Sequence, residues 1–146
     1  MVHCKLEGTD EMLLTKECDY GIRIIRALSD GKKRTVEAIC QAEQIPLQYS
    51  YKILKKLERA GFLQSYRGRD GGYRLVKPTG DFSLYDVIIA VEKNLFVTGC
   101  LQEGQICLLN AADAPCAVHK EFMSVQEVLI DALRAKTFEN VMKTHS

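Results

Sequence analysis

Apolar residues recur at every third or fourth position in five stretches of the chain, the spacing that places them on one face of an α-helix. The first stretch carries Tyr20, Ile24 and Leu28 on such a face. The third ends at Gly61, because glycine readily takes the left-handed conformation that closes a helix. The predicted helices span residues 15–29, 36–42, 46–60, 84–93 and 118–138.

Two short runs with strand composition follow the third predicted helix. Phe62–Leu63 and Tyr73–Val76 are apolar and aromatic, and Arg67–Gly72 between them is rich in glycine, as a turn requires. Two short helices followed by an arginine-bearing hairpin are typical of a winged helix-turn-helix. The predicted fold class is therefore mainly α, with a small β-hairpin wing and a long C-terminal dimerisation helix.

These elements divide the chain into three parts. Residues 1–11 show no apolar period and are predicted to form a flexible leader. Residues 12–80 form the predicted winged helix-turn-helix DNA-binding domain. Residues 81–146 hold the fourth helix, a loop of residues 98–117 that breaks the helical pattern, and the last helix. Because that long amphipathic helix has no later element to pack on, we expect it to pair with a second copy of the chain.

The positive charge is concentrated in one segment, although the whole chain has a net charge of only +1. Residues 45–80 carry eight basic and two acidic residues, whereas residues 1–44 and 81–146 have net charges of −1 and −4. A local basic surface neutralises DNA phosphates and releases their counterions. A solvated helix face would explain the lysines alone, but the arginine-bearing hairpin beside them favours double-stranded DNA as the partner.

The start of the third helix is where a helix-turn-helix protein reads the major groove. Glutamine suits adenine, lysine reaches guanine or phosphate, and a tyrosine hydroxyl suits phosphate. For the two tyrosines, burial in the core is the alternative. The predicted DNA contacts are Gln48, Tyr49, Tyr51, Lys52, Lys55, Arg67, Gly68 and Arg69.

Three of the six cysteines lie in the loop of residues 98–117, which we call the cysteine loop. Cys100, Cys107 and Cys116 are followed by His119, which gives three thiolates and one imidazole as candidate metal ligands. Thiolates favour iron–sulfur clusters, zinc and Cu(I). A structural zinc site usually takes its ligands as close Cys-x-x-Cys pairs, which this sequence lacks. The loop therefore favours an iron–sulfur cluster, with free thiols and an exposed histidine as the alternative.

The sequence gives no sign of a membrane protein, a secreted protein or an enzyme. No apolar run approaches the length of a membrane span, and the N-terminus has no apolar signal region. We therefore expect a cytoplasmic protein whose cysteines are thiols or metal ligands rather than disulfides. A redox or iron–sulfur enzyme is disfavoured, because the sequence shows no Cys-x-x-Cys redox pair and no substrate site with a positioned base.

Several segments of the sequence resemble the Rrf2 family of bacterial transcriptional regulators. They are Met12–Gly21, the third helix, the hairpin motif Arg67–Leu75 and the cysteine loop. The resemblance covers Met12 to about Phe138 and implies a winged-helix homodimer that binds palindromic promoters. It also implies an iron–sulfur cluster in the cysteine loop, the state of which controls DNA binding.

The resemblance offers two candidates for the fourth cluster ligand. In one branch of the family a histidine three residues after the last cysteine completes a [2Fe–2S] cluster, and His119 matches that position. In a nitric-oxide-sensing branch an aspartate from the partner subunit completes a [4Fe–4S] cluster, and Asp19 matches that position. Imidazole is the commoner alternative to thiolate on cluster iron, which favours His119 and [2Fe–2S]. The cysteine spacings are longer here than in those branches.

The sequence thus predicts a repressor of transcription that is controlled by a cluster sensing redox state, nitric oxide, iron or cluster supply. The alternative is a regulator of the same type without a cluster. Its cysteines would then act as a thiol redox switch, hold zinc, or leave control to a partner protein.

Overall fold

The computed structural model describes residues 13–144 and confirms a mainly helical chain with one antiparallel hairpin. The predicted leader, residues 1–11, lies outside the described residues. Within residues 13–144, no helix is both long enough and apolar enough to cross a membrane. The elements are α1 (Lys16–Ala27), α2 (Val36–Glu43), α3 (Leu47–Arg59), β1 (Leu63–Tyr66), β2 (Gly72–Leu75), α4 (Leu84–Glu92), α5 (Ala117–Arg134) and α6 (Phe138–Lys143).

Helices α1, α2, α4 and α6 each begin where a side chain accepts a hydrogen bond from an amide of the first turn. Thr15 caps α1 and Thr35 caps α2 in this way. At α4 the exchange is reciprocal: the Ser83 hydroxyl accepts from the Asp86 amide, and the Asp86 carboxylate accepts from the Ser83 amide at 2.7 Å. Such caps stabilise a helix by about 1 kcal/mol each, so they fix the start of each element locally.

The core lies where α1, α3 and α4 meet. At Gly21 of α1 an added Cβ would lie 2.7 Å from Val91 Cγ2 on α4 and 3.7 Å from Ile53 Cγ2 on α3. A residue without a side chain is therefore needed for the three helices to approach this closely. The buried side chains of this core include Ile24, Ile25, Leu28, Ile39, Ile53, Leu54, Leu57, Val87 and Val91.

The predicted hairpin is formed by β1 and β2, and we call residues 63–75 the wing. A third segment pairs with it, because the amides of Arg34 and Tyr73 each donate to the other residue's carbonyl, at 2.9 and 2.8 Å. Gly72 has a φ of +145°, and a Cβ there would lie 2.7 Å from the carbonyl carbon of Arg34. The wing can attach to the segment before α2 because position 72 has no side chain.

The C-terminal part differs from the prediction of one helix over residues 118–138. α5 ends at Arg134, Thr137 caps the additional helix α6, and Phe138 is buried. The Phe138 ring stacks on Phe82 with the ring centroids 5.4 Å apart. The expectation that nothing follows the long helix is therefore wrong. The chain turns back because burying a phenylalanine in the winged-helix core is more favourable than leaving it at the end of an exposed helix.

A smaller apolar cluster joins α5 to the rest of the molecule. Cys18 of α1, Ile88 of α4 and Leu95 are buried together, and Leu129 and Leu133 of α5 pack against them. We call these five residues the small cluster. Leu95 lies just before the cysteine loop, so the start of that loop is anchored against the first turns of α1.

Replacing Gly72 by alanine should lower the free energy of unfolding by about 1–3 kcal/mol, the cost of holding a residue with a side chain in a strained backbone region. Urea unfolding followed by circular dichroism measures this change. Gly99→Ala is a matched control, because a Cβ at Gly99 meets nothing within 4 Å. Equal decreases in both variants would contradict the role assigned to Gly72.

Candidate nucleic-acid interface and cysteine loop

The exposed face of α3 carries the predicted DNA contacts. The opposite, buried face consists of Ser50, Ile53, Leu54 and Leu57. Tyr49 and Tyr51 are 49% and 45% exposed, so neither tyrosine lies in the core. Gln48, Lys52 and Lys55 are exposed as well. All five side chains are therefore accessible from solvent.

An open groove of about 480 Å³ runs between α3 and the wing. Lys55 lines this groove from the helix, and Arg67, Gly68 and Arg69 line it from the turn of the wing. These four residues are exposed. The structure thus brings the predicted helix contact and the predicted wing contacts to one surface. Glu37 and Glu58 line the groove as well, but the three basic side chains outnumber them, which suits a phosphate backbone.

Two further lysines, which the sequence analysis did not single out, lie in the segment before α2, and one of them contacts the wing. Lys32 and Lys33 are exposed, and the Lys33 ammonium lies 5.3 Å from the centre of the Tyr66 ring. The nearby carboxylate of Asp30 accepts two hydrogen bonds of 2.7 Å from Arg34, which hold the pKa of Asp30 well below its usual range. The three consecutive basic residues 32–34 could have indicated these lysines, but the net charge of −1 over residues 1–44 hid this local positive charge.

Two lysines of α3 share one carboxylate of α1. Lys52 Nζ lies 2.8 Å from Glu17 Oε1, and Lys56 Nζ lies 2.7 Å from Glu17 Oε2. The hydrogen bonds from Lys52 and Lys56 lower the pKa of Glu17 below its ordinary value. Lys52, a predicted DNA contact, is therefore ion-paired within the protein itself.

The cysteines that the structure describes are all free thiols. Cys100 is half-buried in a 3-10 turn, and Cys107 is exposed. Cys116 precedes the first residue of α5, and its amide donates to Asn110 Oδ1 at 2.8 Å. The Asn110 amide in turn donates to the Cys107 carbonyl at 3.0 Å, so Asn110 connects the backbone at Cys107 to the backbone at Cys116.

The two candidates for a fourth ligand have different surroundings. His119 lies in the first turn of α5 and lines a cavity of about 250 Å³ together with Phe96 and other side chains. Its Nδ1 is buried and has no hydrogen-bond partner among the described residues. Asp19 is partly exposed and ion-paired with Arg23 at 2.8 Å. Of the two, His119 presents an unsatisfied ligand atom, which is a costly arrangement unless something binds there.

The cysteine loop has the donors of a cluster site but does not assemble them in this conformation. Three thiols and an imidazole suit iron chemically. Yet within residues 13–144 no three His, Cys, Asp or Glu side chains come close enough together to hold a metal ion. Cys107 stands between Ile106 and Leu108, which are 89% and 93% exposed. Because burying exposed apolar side chains is favourable, these exposures favour a second conformation in which the loop folds over them or another surface covers them.

One face of α5 is apolar and uncovered. No residue of α5 is buried in the part of the chain that the structure describes. Leu129 and Leu133 pack in the small cluster, whereas a stripe of apolar residues at helical spacing, most of it earlier in the helix, stays exposed. The exposed residues of this stripe are Val118, Phe122, Val125 and Val128.

Comparison with known proteins places these features in a family. Residues 14–144 match the family described as Rrf2, iron-dependent transcriptional regulator. An HTH-type, rrf2-like transcriptional regulator of Rhodobacter capsulatus is 30% identical over 132 residues, which cover 83% of this chain and 88% of that protein. The relatives are transcriptional regulators and not enzymes, and this chain is likewise a regulator.

Two solved structures share the fold. CymR, the global cysteine regulator of B. subtilis, superimposes with a TM-score of 0.71 at 19% identity, over 89% of this chain and 95% of that chain. IscR of T. potens gives a TM-score of 0.70 at 18% identity, over 95% of this chain and 92% of that one. The match over residues 14–144 and the 30% identical relative show that the chain belongs to the Rrf2 family of transcriptional regulators.

Proposed function

We propose that the protein is a cytoplasmic repressor that binds a palindromic operator through α3 and the wing. The observation that carries this proposal is the basic groove that Lys55 of α3 shares with Arg67 and Arg69 of the wing. In this arrangement α3 enters the major groove, and the wing follows the phosphate backbone beside it. Gln48 and Tyr51, exposed on α3, are then placed to contact bases or phosphates.

The proposed assembly is a homodimer formed through the apolar stripe of α5. Val118 and Val128 at its two ends are 62% and 69% exposed. Burying such side chains against a second copy contributes about 25 cal/mol for each Å² removed from water. A two-fold pair of α5 helices relates the two α3 helices by the same symmetry, which matches an operator with two-fold symmetry.

We infer that the cysteine loop holds an iron–sulfur cluster through Cys100, Cys107 and Cys116. His119 is the favoured fourth ligand, because its buried Nδ1 lacks a partner among the described residues. That choice favours [2Fe–2S]. Asp19 from a partner subunit, with [4Fe–4S], is the other possibility, and it would first have to leave Arg23. A bound cluster would supply a group that oxidants, nitric oxide or iron shortage can alter.

A connected set of contacts supports control of DNA binding by the loop. Gln126 of α5 accepts from the Val97 amide at 2.7 Å and donates to the Leu95 carbonyl. Leu95 packs with Cys18 of α1, and α1 packs on α3. A change of loop conformation would therefore shift α1 and, through it, the helix that reads DNA, which is a shift between two populated states of the dimer.

The second candidate keeps the DNA binding and replaces the cluster by thiol chemistry, zinc or a partner protein. It is favoured by the separation of the candidate ligands within residues 13–144. The structural neighbours agree with it in part, because CymR of B. subtilis is a cysteine regulator and S. aureus CymR has been crystallised in an oxidised form. The exposed thiol of Cys107 would then be the reactive one.

Replacing Arg67 or Arg69 by alanine should weaken operator binding and reduce the slope of log affinity against log salt by about 0.9 for each phosphate that is no longer neutralised. Fluorescence anisotropy at several salt concentrations measures both quantities. Arg134→Ala is the matched control, since this arginine stacks on Tyr85 away from the groove. Wing variants that behave like the control would show that the two arginines do not touch DNA.

A Val128→Glu variant should be monomeric at concentrations where the wild-type protein is a dimer, because a carboxylate cannot be buried in an apolar interface without a large free-energy cost. The variant should still fold, since Val128 is exposed within one chain. Sedimentation velocity gives the masses. Val76→Glu, at another exposed valine, should leave the dimer intact. A dimeric Val128→Glu protein would rule out this face as the interface.

Protein purified without oxygen should contain iron and acid-labile sulfide at about two each per chain for [2Fe–2S], or about four each for [4Fe–4S]. Cys107→Ala should lose both, whereas Cys40→Ala should keep them, because Cys40 is buried in the core. Chemical analysis and the visible spectrum provide the readout. If the wild-type protein contains neither iron nor sulfide, the cluster proposal fails and the thiol candidate takes its place.

A further inference from the structure

The carboxylate of Glu17 lies between α1 and the face of α3 that reads DNA. It holds the ammonium groups of Lys52 and Lys56 at 2.8 and 2.7 Å, one on each carboxylate oxygen. The Lys52 side chain is 66% exposed, whereas the Lys56 side chain is 28% exposed. One acidic side chain thus binds two of the basic residues in the segment that carries the excess positive charge.

The position of Glu17 in α1 does not by itself explain this contact. A carboxylate in the first turn of a helix is stabilised by the positive end of the helix dipole wherever its side chain points. Here the side chain reaches across to another helix, to partners 35 and 39 residues away in sequence. The Lys52 end of the contact is exposed, and exposed ion pairs contribute little to stability, so a structural role is left to the half-buried Lys56–Glu17 pair and does not account for the contact to Lys52.

The contact has a direct consequence for DNA binding. An ammonium group that is neutralised by a carboxylate releases fewer counterions when it approaches a phosphate. Binding to random sequences depends almost wholly on phosphate contacts, whereas operator binding adds contacts to bases. Withholding two lysines therefore weakens non-specific binding more than it weakens operator binding.

We propose that Glu17 is a specificity-determining residue, which withholds Lys52 and Lys56 from DNA phosphates until base contacts hold α3 in place. On an operator, the largely exposed Lys52 leaves the carboxylate and contacts the backbone. On random DNA the pair stays closed. This inference rests on the proposed use of α3 as the recognition helix.

The test compares Glu17→Gln with the wild-type protein on two duplexes, one of random sequence and one operator selected by the wild-type protein from a random pool. The amide keeps the shape of the side chain and removes its charge. We expect affinity for the random duplex to rise about tenfold at about 50 mM salt, with a salt slope steeper by about 0.9 for each lysine released. The ratio of operator affinity to random affinity should fall.

Two further variants test whether a change in affinity comes from loss of the Glu17 ion pairs. Asp131→Asn is exposed on α5, makes the same change in net charge, and removes no ion pair that the structure shows among the described residues, so it should leave both affinities unchanged. In a Lys52→Gln, Lys56→Gln background, the Glu17→Gln change should have no further effect. Thermal unfolding confirms that every variant is folded.

Three outcomes would overturn the inference. A Glu17→Gln protein that matches Asp131→Asn in affinity and slope would make the ion pairs irrelevant to DNA. Weaker binding of Glu17→Gln to random DNA would mean that Glu17 positions the lysines for phosphates rather than withholding them. Wild-type protein that binds neither duplex would instead overturn the proposed function, and the inference would fall with it.

Discussion

The close approach of α1 to α3 and α4 at Gly21 is the constraint on which the other features depend. Because Gly21 has no side chain, Val91 and Ile53 can press against the backbone of α1 from two sides. The first turn of α1 is thereby fixed between the two functional parts of the chain. Glu17 contacts the lysines of α3, and its neighbour Cys18 lies in the small cluster at the start of the cysteine loop. A bulkier residue at position 21 would push α1 away from α3 and α4.

The winged helix could be predicted because its signals are local. Helical spacing, the glycine that ends α3 and the turn residues of the wing act over a few positions each. The contacts between distant residues could not be predicted in the same way. The pairing of Arg34 with Tyr73 and the burial of Phe138 against Phe82 join segments that are far apart in sequence. The helical pattern of apolar residues continued through residue 138, and it could not show that Phe138 is buried in the winged-helix core instead of extending the long helix.

The grouping of the candidate DNA contacts could be predicted in part, because charge excess is visible in composition, and Lys55 of α3 and the arginines of the wing do share one groove. What composition could not show is which charges are already paired. Lys52 is held by Glu17, whereas Lys33, in a segment of negative net charge, is exposed beside the wing. For the cysteine loop, the sequence supplies donor types but no distances. An unsatisfied Nδ1 on His119 is a fact about packing, and only the structure can reveal it.

The return of the chain at Phe138 has a consequence for how this architecture tolerates change. Ser83 and Thr137 are joined by a β-bridge, and Leu95 before the cysteine loop and Leu129 after it both lie in the small cluster, so the cysteine loop is held at both ends by packed segments. For a flexible segment anchored at both ends, each doubling of length costs only about 0.6 kcal/mol in closure entropy. Insertions between the cysteines can therefore accumulate without unfolding the DNA-binding part. The length of the cysteine loop is therefore free to change while the packing of the winged helix stays the same.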